Sequence, residues 1–250
     1  MRTFRQLIFV LFLLFCGSVV AQVSEGAGKP TETPAKSLEL GIEKYKKRDY
    51  VAAIEFFSKA IASDSMFINA YIYRGIAKDA QDNFAGALTD FNKARKLDSN
   101  DVYIYVERSQ TFLNLGELEA AAKDFRKIIE LNPNSQDASD AYYYLARINF
   151  KQKKYEPAIN FYTRVLKFRP DDPEVMFLRG ECKFMLGDYR GAIKDFDLSL
   201  TKDDDNELAY AKRGEAKLFL EDKKGACEDF AKAKRNGYKE AAELISKNCK

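Results

Sequence analysis

Residues 177–196, FLRGECKFMLGDYRGAIKDF, carry apolar side chains at helical spacing, break at Leu186-Gly187-Asp188, and resume helical spacing. Apolar positions three and four apart mark one face of a helix. The stretch therefore predicts two helices joined by a tight turn. Gly180 lies inside the first helix, where glycine costs about 1 kcal/mol relative to alanine. The same arginine–glycine pair recurs at Arg74-Gly75 and Arg213-Gly214.

These recurrences share a period of 34 residues. Laid out at that period, the chain forms six units: 34–67, 68–101, 102–135, 139–172, 173–206 and 207–240. Gln136-Asp137-Ala138 falls between the third and fourth. Position 8 is always small: Gly41, Gly75, Ser109, Ala146, Gly180, Gly214. Position 20 is always alanine: Ala53, Ala87, Ala121, Ala158, Ala192, Ala226. Position 24 is always aromatic: Phe57, Phe91, Phe125, Tyr162, Phe196, Phe230. Small side chains let two helices approach, and an aromatic ring fills the space beside them. Gly180 is thus expected where the first helix of a unit (helix A) meets the second (helix B). Pro133 and Pro170 close units 3 and 4, where a helix must stop.

The columns resemble the tetratricopeptide repeat, over residues 34–240. The resemblance implies an all-α, right-handed α-solenoid of six helix-turn-helix units. It also implies a concave groove lined by A helices that holds a partner peptide or helix. The groove positions carried over are 2, 5, 9, 12 and 13. They name Ile72 and Ile76 in unit 2, Tyr103, Val106, Gln110 and Leu113 in unit 3, and Tyr143, Arg147 and Phe150 in unit 4. They add Phe177, Glu181, Phe184 and Met185 in unit 5, and Leu208, Glu215 and Phe219 in unit 6. This set is mostly apolar. The Lys and Asn clamp by which some members hold a carboxylate is missing. The aromatic residue expected at position 4 is Met176 in unit 5 and Ser37 in unit 1, which predicts a late start for the first helix.

A second column pair stands apart from the family pattern. Position 7 reads Leu40, Arg74, Arg108, Leu145, Arg179, Arg213; position 23 reads Phe56, Asp90, Asp124, Phe161, Asp195, Asp229. Arginine always accompanies aspartate, and leucine always accompanies phenylalanine. Since an unpaired buried charge is costly, four structural ion pairs are expected between A and B helices: Arg74–Asp90, Arg108–Asp124, Arg179–Asp195 and Arg213–Asp229.

The chain has 250 residues and a formal charge of +3, with basic and acidic residues interspersed. That balance makes no case for nucleic acid. Residues 1–21 read as a secretory signal peptide, with Arg2 and Arg5 before the apolar run LIFVLFLLF and a cut expected after Ala21. The expected location is secreted or periplasmic. The rival readings of this segment are a membrane anchor, or a lipoprotein acylated at Cys16; for the cleaved chain, membrane association is expected only through that acylation. Residues 22–36 read as a flexible tether and 37–250 as the repeat domain. Residues 239–249 are expected to form a capping helix after Gly237. Cys227 and Cys249 lie at matching depths on either side of that turn, and export favours a disulfide between them. Cys182 reads as a small buried apolar residue, and Met176 and Met185 read as helix packing.

The chain contains no histidine, which removes the commonest general base and metal ligand. It has no Cys-x-x-Cys spacing and no glycine-rich phosphate loop, and Asp203-Asp204-Asp205 reads as a solvated turn. No cofactor and no enzymatic activity are expected. The leading expectation is an exported scaffold for another protein or peptide. The alternatives are an envelope assembly factor tethered at a membrane, and a Sel1-like enzyme or carrier of a small apolar ligand.

Overall fold

A computed structural model describes residues 33–250; the expected signal peptide, Cys16 and the expected tether as far as residue 32 lie outside the described residues. Pro34–Lys250 is one compact unit. It contains thirteen α-helices and, among the described residues, no strand. The A helices are α1 (Pro34–Lys46), α3 (Ile68–Asp79), α5 (Val102–Leu115), α7 (Gln136–Lys151), α9 (Pro173–Met185) and α11 (Glu207–Phe219). The B helices are α2 (Tyr50–Ser63), α4 (Phe84–Leu97), α6 (Leu118–Leu131), α8 (Tyr155–Phe168), α10 (Tyr189–Lys202) and α12 (Lys223–Arg235). The final helix, α13 (Ala241–Asn248), packs on α12. Each A helix packs on its own B helix and each B helix on the next A helix, so the hairpins stack in chain order as a helical solenoid.

Local chemistry sets the helix ends. Asp49, Asn83, Asp188 and Asp222 accept a backbone N–H at the start of B helices, and Asp101, Ser135, Asp172 and Asn206 do so for A helices. These side chains satisfy donors that the first turn leaves without partners. Every A-to-B turn reverses through one left-handed residue at position 15: Arg48, Asp82, Gly116, Lys153, Gly187 and Glu221. Only two of the six are glycine.

The core is the repeated column set. Ala53, Ala87, Ala121, Ala158, Ala192 and Ala226 are fully buried, as are the rings of Phe57, Phe91, Phe196 and Phe230. A Cβ on Gly180 would lie 2.8 Å from the Phe196 ring, so the A helix rests against the ring of position 24.

Three expectations need correction. The first helix starts at Pro34, inside the expected tether, and Ser37 is buried within it. The cap helix begins at Ala241 because Tyr238–Glu240 form the preceding turn. Met176 is buried, but Met185, at the last position of α9, is 52% exposed.

Candidate functional site: the A-helix face and its arginine clamps

The structure brings the four arginine–aspartate pairs together. Each arginine donates from Nε and Nη2 to both carboxylate oxygens of its aspartate, at 2.5–2.9 Å. This is the fork geometry that suits guanidinium and carboxylate. The third nitrogen does something the column pattern did not announce. Nη1 donates to position 25 of the preceding repeat: Arg74 to Ser58 at 3.0 Å, Arg108 to Asn92 at 2.6 Å, Arg179 to Thr163 at 3.3 Å, Arg213 to Asp197 at 2.6 Å. One side chain therefore ties helix A, its own helix B and the previous helix B. Lys78, Lys183 and Lys217 add a second cation, 2.7 Å from Asp90, Asp195 and Asp229. Burial pushes the Arg213 pKa down, but the hydrogen bonds and charges of Asp229 and Asp197 outweigh it and hold it above the ordinary value. Four of the five boundaries between repeats carry such a clamp. At the boundary of repeats 3 and 4, Leu145 is fully buried and Phe125 stacks on Tyr144 at 5.2 Å instead.

These pairs hold the A helices in register, and the A face is the side turned away from helix B. The carried-over groove positions fall on it only in part. Ile72, Ile76 and Phe177 are 1%, 6% and 8% exposed and pack in the core between repeats. Tyr103, Val106, Leu113, Tyr143, Phe150 and Phe184 are half-buried, and Met185 and Phe219 are exposed. Residues at 2, 6, 9 and 13 follow one stripe of a 3.6-residue helix, and position 5 lies at its edge, about 100° from position 6. In α3 and α9 that edge is covered, burying Ile72, Ile76 and Phe177, whereas Val106 and Tyr143 stay half-buried.

Position 6 is therefore the missed column: Tyr73, Glu107, Tyr144, Leu178 and Lys212, all half-buried. The stripe is more charged than the expected list. Arg147 and Lys151 of α7 are exposed, as is Glu174 of α9. Tyr143 donates its hydroxyl to Glu174 across the repeat boundary at 2.6 Å. Burial, reinforced by Glu174, pushes the Tyr143 hydroxyl up to about 12. Lys212 donates to Glu215 at 2.9 Å. Burial raises the Glu181 pKa; Lys212 opposes that rise and Glu215 adds to it. Burial, then the charge of Glu107, raises the Tyr103 hydroxyl as well.

At the end of the stripe an aromatic cluster reaches solvent. Tyr189 stacks on Phe219 at 4.3 Å, and Phe184 meets both rings edge-on. Met185, Leu186, Phe219 and Leu220 are exposed around it. Such a patch with a polar rim is the usual mark of an interaction surface.

Cys227 and Cys249 are joined by a disulfide, which ties α12 to the end of α13. Cys182 is a buried free thiol, and burial pushes its pKa up to about 12. Among the described residues, no group of three His, Cys, Asp or Glu could hold a metal ion, and no helix is long and apolar enough to cross a membrane.

A family profile described as Tetratricopeptide repeat matches residues 72–136 and 106–173. The rice (Oryza sativa subsp. japonica) U-box domain-containing protein 70 is 33% identical over 94 residues, 38% of this chain and 11% of that protein. The mouse (Mus musculus) DnaJ homolog subfamily C member 3 is 30% identical over 112 residues, 40% of this chain and 22% of that protein. The chain thus spans only a small part of either relative. Among solved structures, YrrB, described as a TPR protein with an unusual peptide-binding site, superposes with a TM-score of 0.67 at 21% identity, over 76% of this chain and 97% of YrrB. The C-terminal part of a TPR repeat-containing protein from Cytophaga hutchinsonii superposes with a TM-score of 0.70 at 17% identity, over 84% of each chain. At these identities the likeness is one of fold.

Proposed function

We propose, from the premise that this chain is a tetratricopeptide repeat protein, that it acts after export as a scaffold receiving a partner peptide or helix on its A face. Repeats of this kind build protein-interaction scaffolds. The observation that carries the reading is the stripe at positions 2, 6, 9 and 13. It combines half-buried aromatic rings with charged groups already fixed by neighbours, from Tyr73 to the exposed Phe219. Ordered side chains of this kind contribute affinity with little further loss of freedom. That YrrB carries a peptide-binding site on the same fold agrees with the reading. Export rests on the N-terminal sequence, with cleavage after Ala21, and a disulfide closing the cap suits an oxidising compartment.

Selection from a displayed library of random 12-residue peptides (about three helical turns) tests the proposal. Enriched peptides should lose at least about tenfold in affinity when Arg147→Glu, Glu181→Lys and Phe219→Ala are combined, a loss of about 1.4 kcal/mol. The same peptides should bind undiminished after Leu198→Ala on the outer face of α10. Peptides that ignore the triple variant would reject the A face.

A further inference from the structure

The column at position 4 is regular except at one place. Tyr71, Tyr105, Met176 and Tyr210 are all buried. Tyr71 and Tyr105 donate their hydroxyls to the carbonyls of Ser65 and Ser99 in the preceding turn, at 3.3 and 2.9 Å. Tyr142 is only half-buried, and its hydroxyl has no hydrogen-bond partner among the described residues. The cause lies just before it. The inserted Gln136-Asp137-Ala138 lengthen α7 at its start, making it 16 residues long, so the residue six places before Tyr142 is Gln136 in the helix, where Tyr71 and Tyr105 find a turn carbonyl. This is also the boundary without an arginine clamp.

A cleft of about 320 Å³ opens there, lined by Pro133, Asn134, Tyr142, Arg164, Lys167 and Phe168. Its volume is that of a small-ligand site. The rings of Tyr142 and Phe168 lie 6.3 Å apart and form an aromatic wall. Arg164 and Lys167 project from α8 and have no ion-pair partner among the described residues. The neighbouring cation Arg169 faces Asp140 at 3.9 Å and Asp172 at 3.4 Å instead. The cleft thus offers two uncompensated positive groups, the Asn134 amide and a phenol beside two aromatic rings inclined at 38°.

We propose that this cleft is a second binding site, distinct from the A face, for an oxyanion joined to a planar apolar body. The guanidinium and ammonium hold the anion, and the rings of Tyr142 and Phe168 cover the body. A free aromatic acid and the C-terminal aromatic residue of a partner chain both present this chemistry.

Backbone amide spectra of the intact repeat domain, recorded during titration with N-acetylphenylalanine, test the proposal. Resonances of Asn134, Arg164 and Phe168 should shift. N-acetylphenylalaninamide, which lacks the charge, and inorganic phosphate, which lacks the ring, should each bind at least about tenfold more weakly. The exposed pair Arg164→Glu and Lys167→Glu should abolish the shifts while the rest of the spectrum is unchanged. A six-residue peptide ending in phenylalanine separates the two sources: tighter binding than the free acid identifies a chain terminus, and equal binding a free acid. Absent shifts, equal shifts with the amide or with phosphate, or shifts that survive the double variant would overturn the proposal.

Discussion

Arg108 and Asp124 are the most enclosed of the clamps, with side chains 9% and 5% exposed. Removing either partner strands the other, so Arg108→Ala or Asp124→Ala should each cost about 3–5 kcal/mol. Replacing both together with Arg108→Leu and Asp124→Phe should cost less than about 1.5 kcal/mol, because the chain already uses that combination at Leu145 and Phe161. Urea unfolding of the three variants checks this. The pairing itself was legible, since two columns change together within one chain. The third contact was not: position 25 is Ser58, Asn92, Thr163 and Asp197, four different acceptors with no shared letter. The groove was half legible for a related reason. A one-residue error along a helix rotates a side chain by about 100°, enough to exchange Phe177 in the core for Leu178 on the face. Cys182 gives a further test. Its thiol is protonated up to about pH 12 in the folded chain, against an ordinary value of 9.0. The folded value is raised, so its stabilising effect is complete below pH 9 and is lost as pH climbs towards 12. A thiol reagent at pH 8 should label it only after denaturation.

At the scale of the element, the A-to-B turns hold an unused reserve of stability. Position 15 is left-handed in every repeat, and Arg48, Asp82, Lys153 and Glu221 occupy it with φ of 60–63°. A left-handed conformation costs a residue with a Cβ about 1–2 kcal/mol, and glycine escapes that strain. Lys153→Gly and Glu221→Gly should therefore each raise stability by about 0.5–1 kcal/mol, measured by urea titration. Gly116 and Gly187 signal the turn in the sequence, as does the turn-forming pair Asp82-Asn83, whereas Arg48, Lys153 and Glu221 are ordinary surface residues and conceal it. The cap follows a different rule. The disulfide closes a loop of 22 residues, so Cys227→Ser should cost about 3 kcal/mol. Hydrogen exchange in α13 should rise far more than in α3.

Across the whole molecule, most of the architecture was visible in advance, because six copies of one hairpin repeat the same small, alanine and aromatic columns. Less of the structure was visible where the repetition fails. The three inserted residues were plain in the sequence, but their effect on Tyr142 was not: they extend α7 backwards, so the position six residues before the ring falls in a helix and not in a turn. The boundary of repeats 3 and 4 has no guanidinium bridge, and its A helix starts three residues early. Repeats 1–3 and repeats 4–6 are each laced internally by two such bridges. Stretched between its ends in an optical trap, the chain should not lengthen in one event. It should first part in the middle, like a two-leaf spring released at its central rivet, and only afterwards surrender each leaf at a higher load.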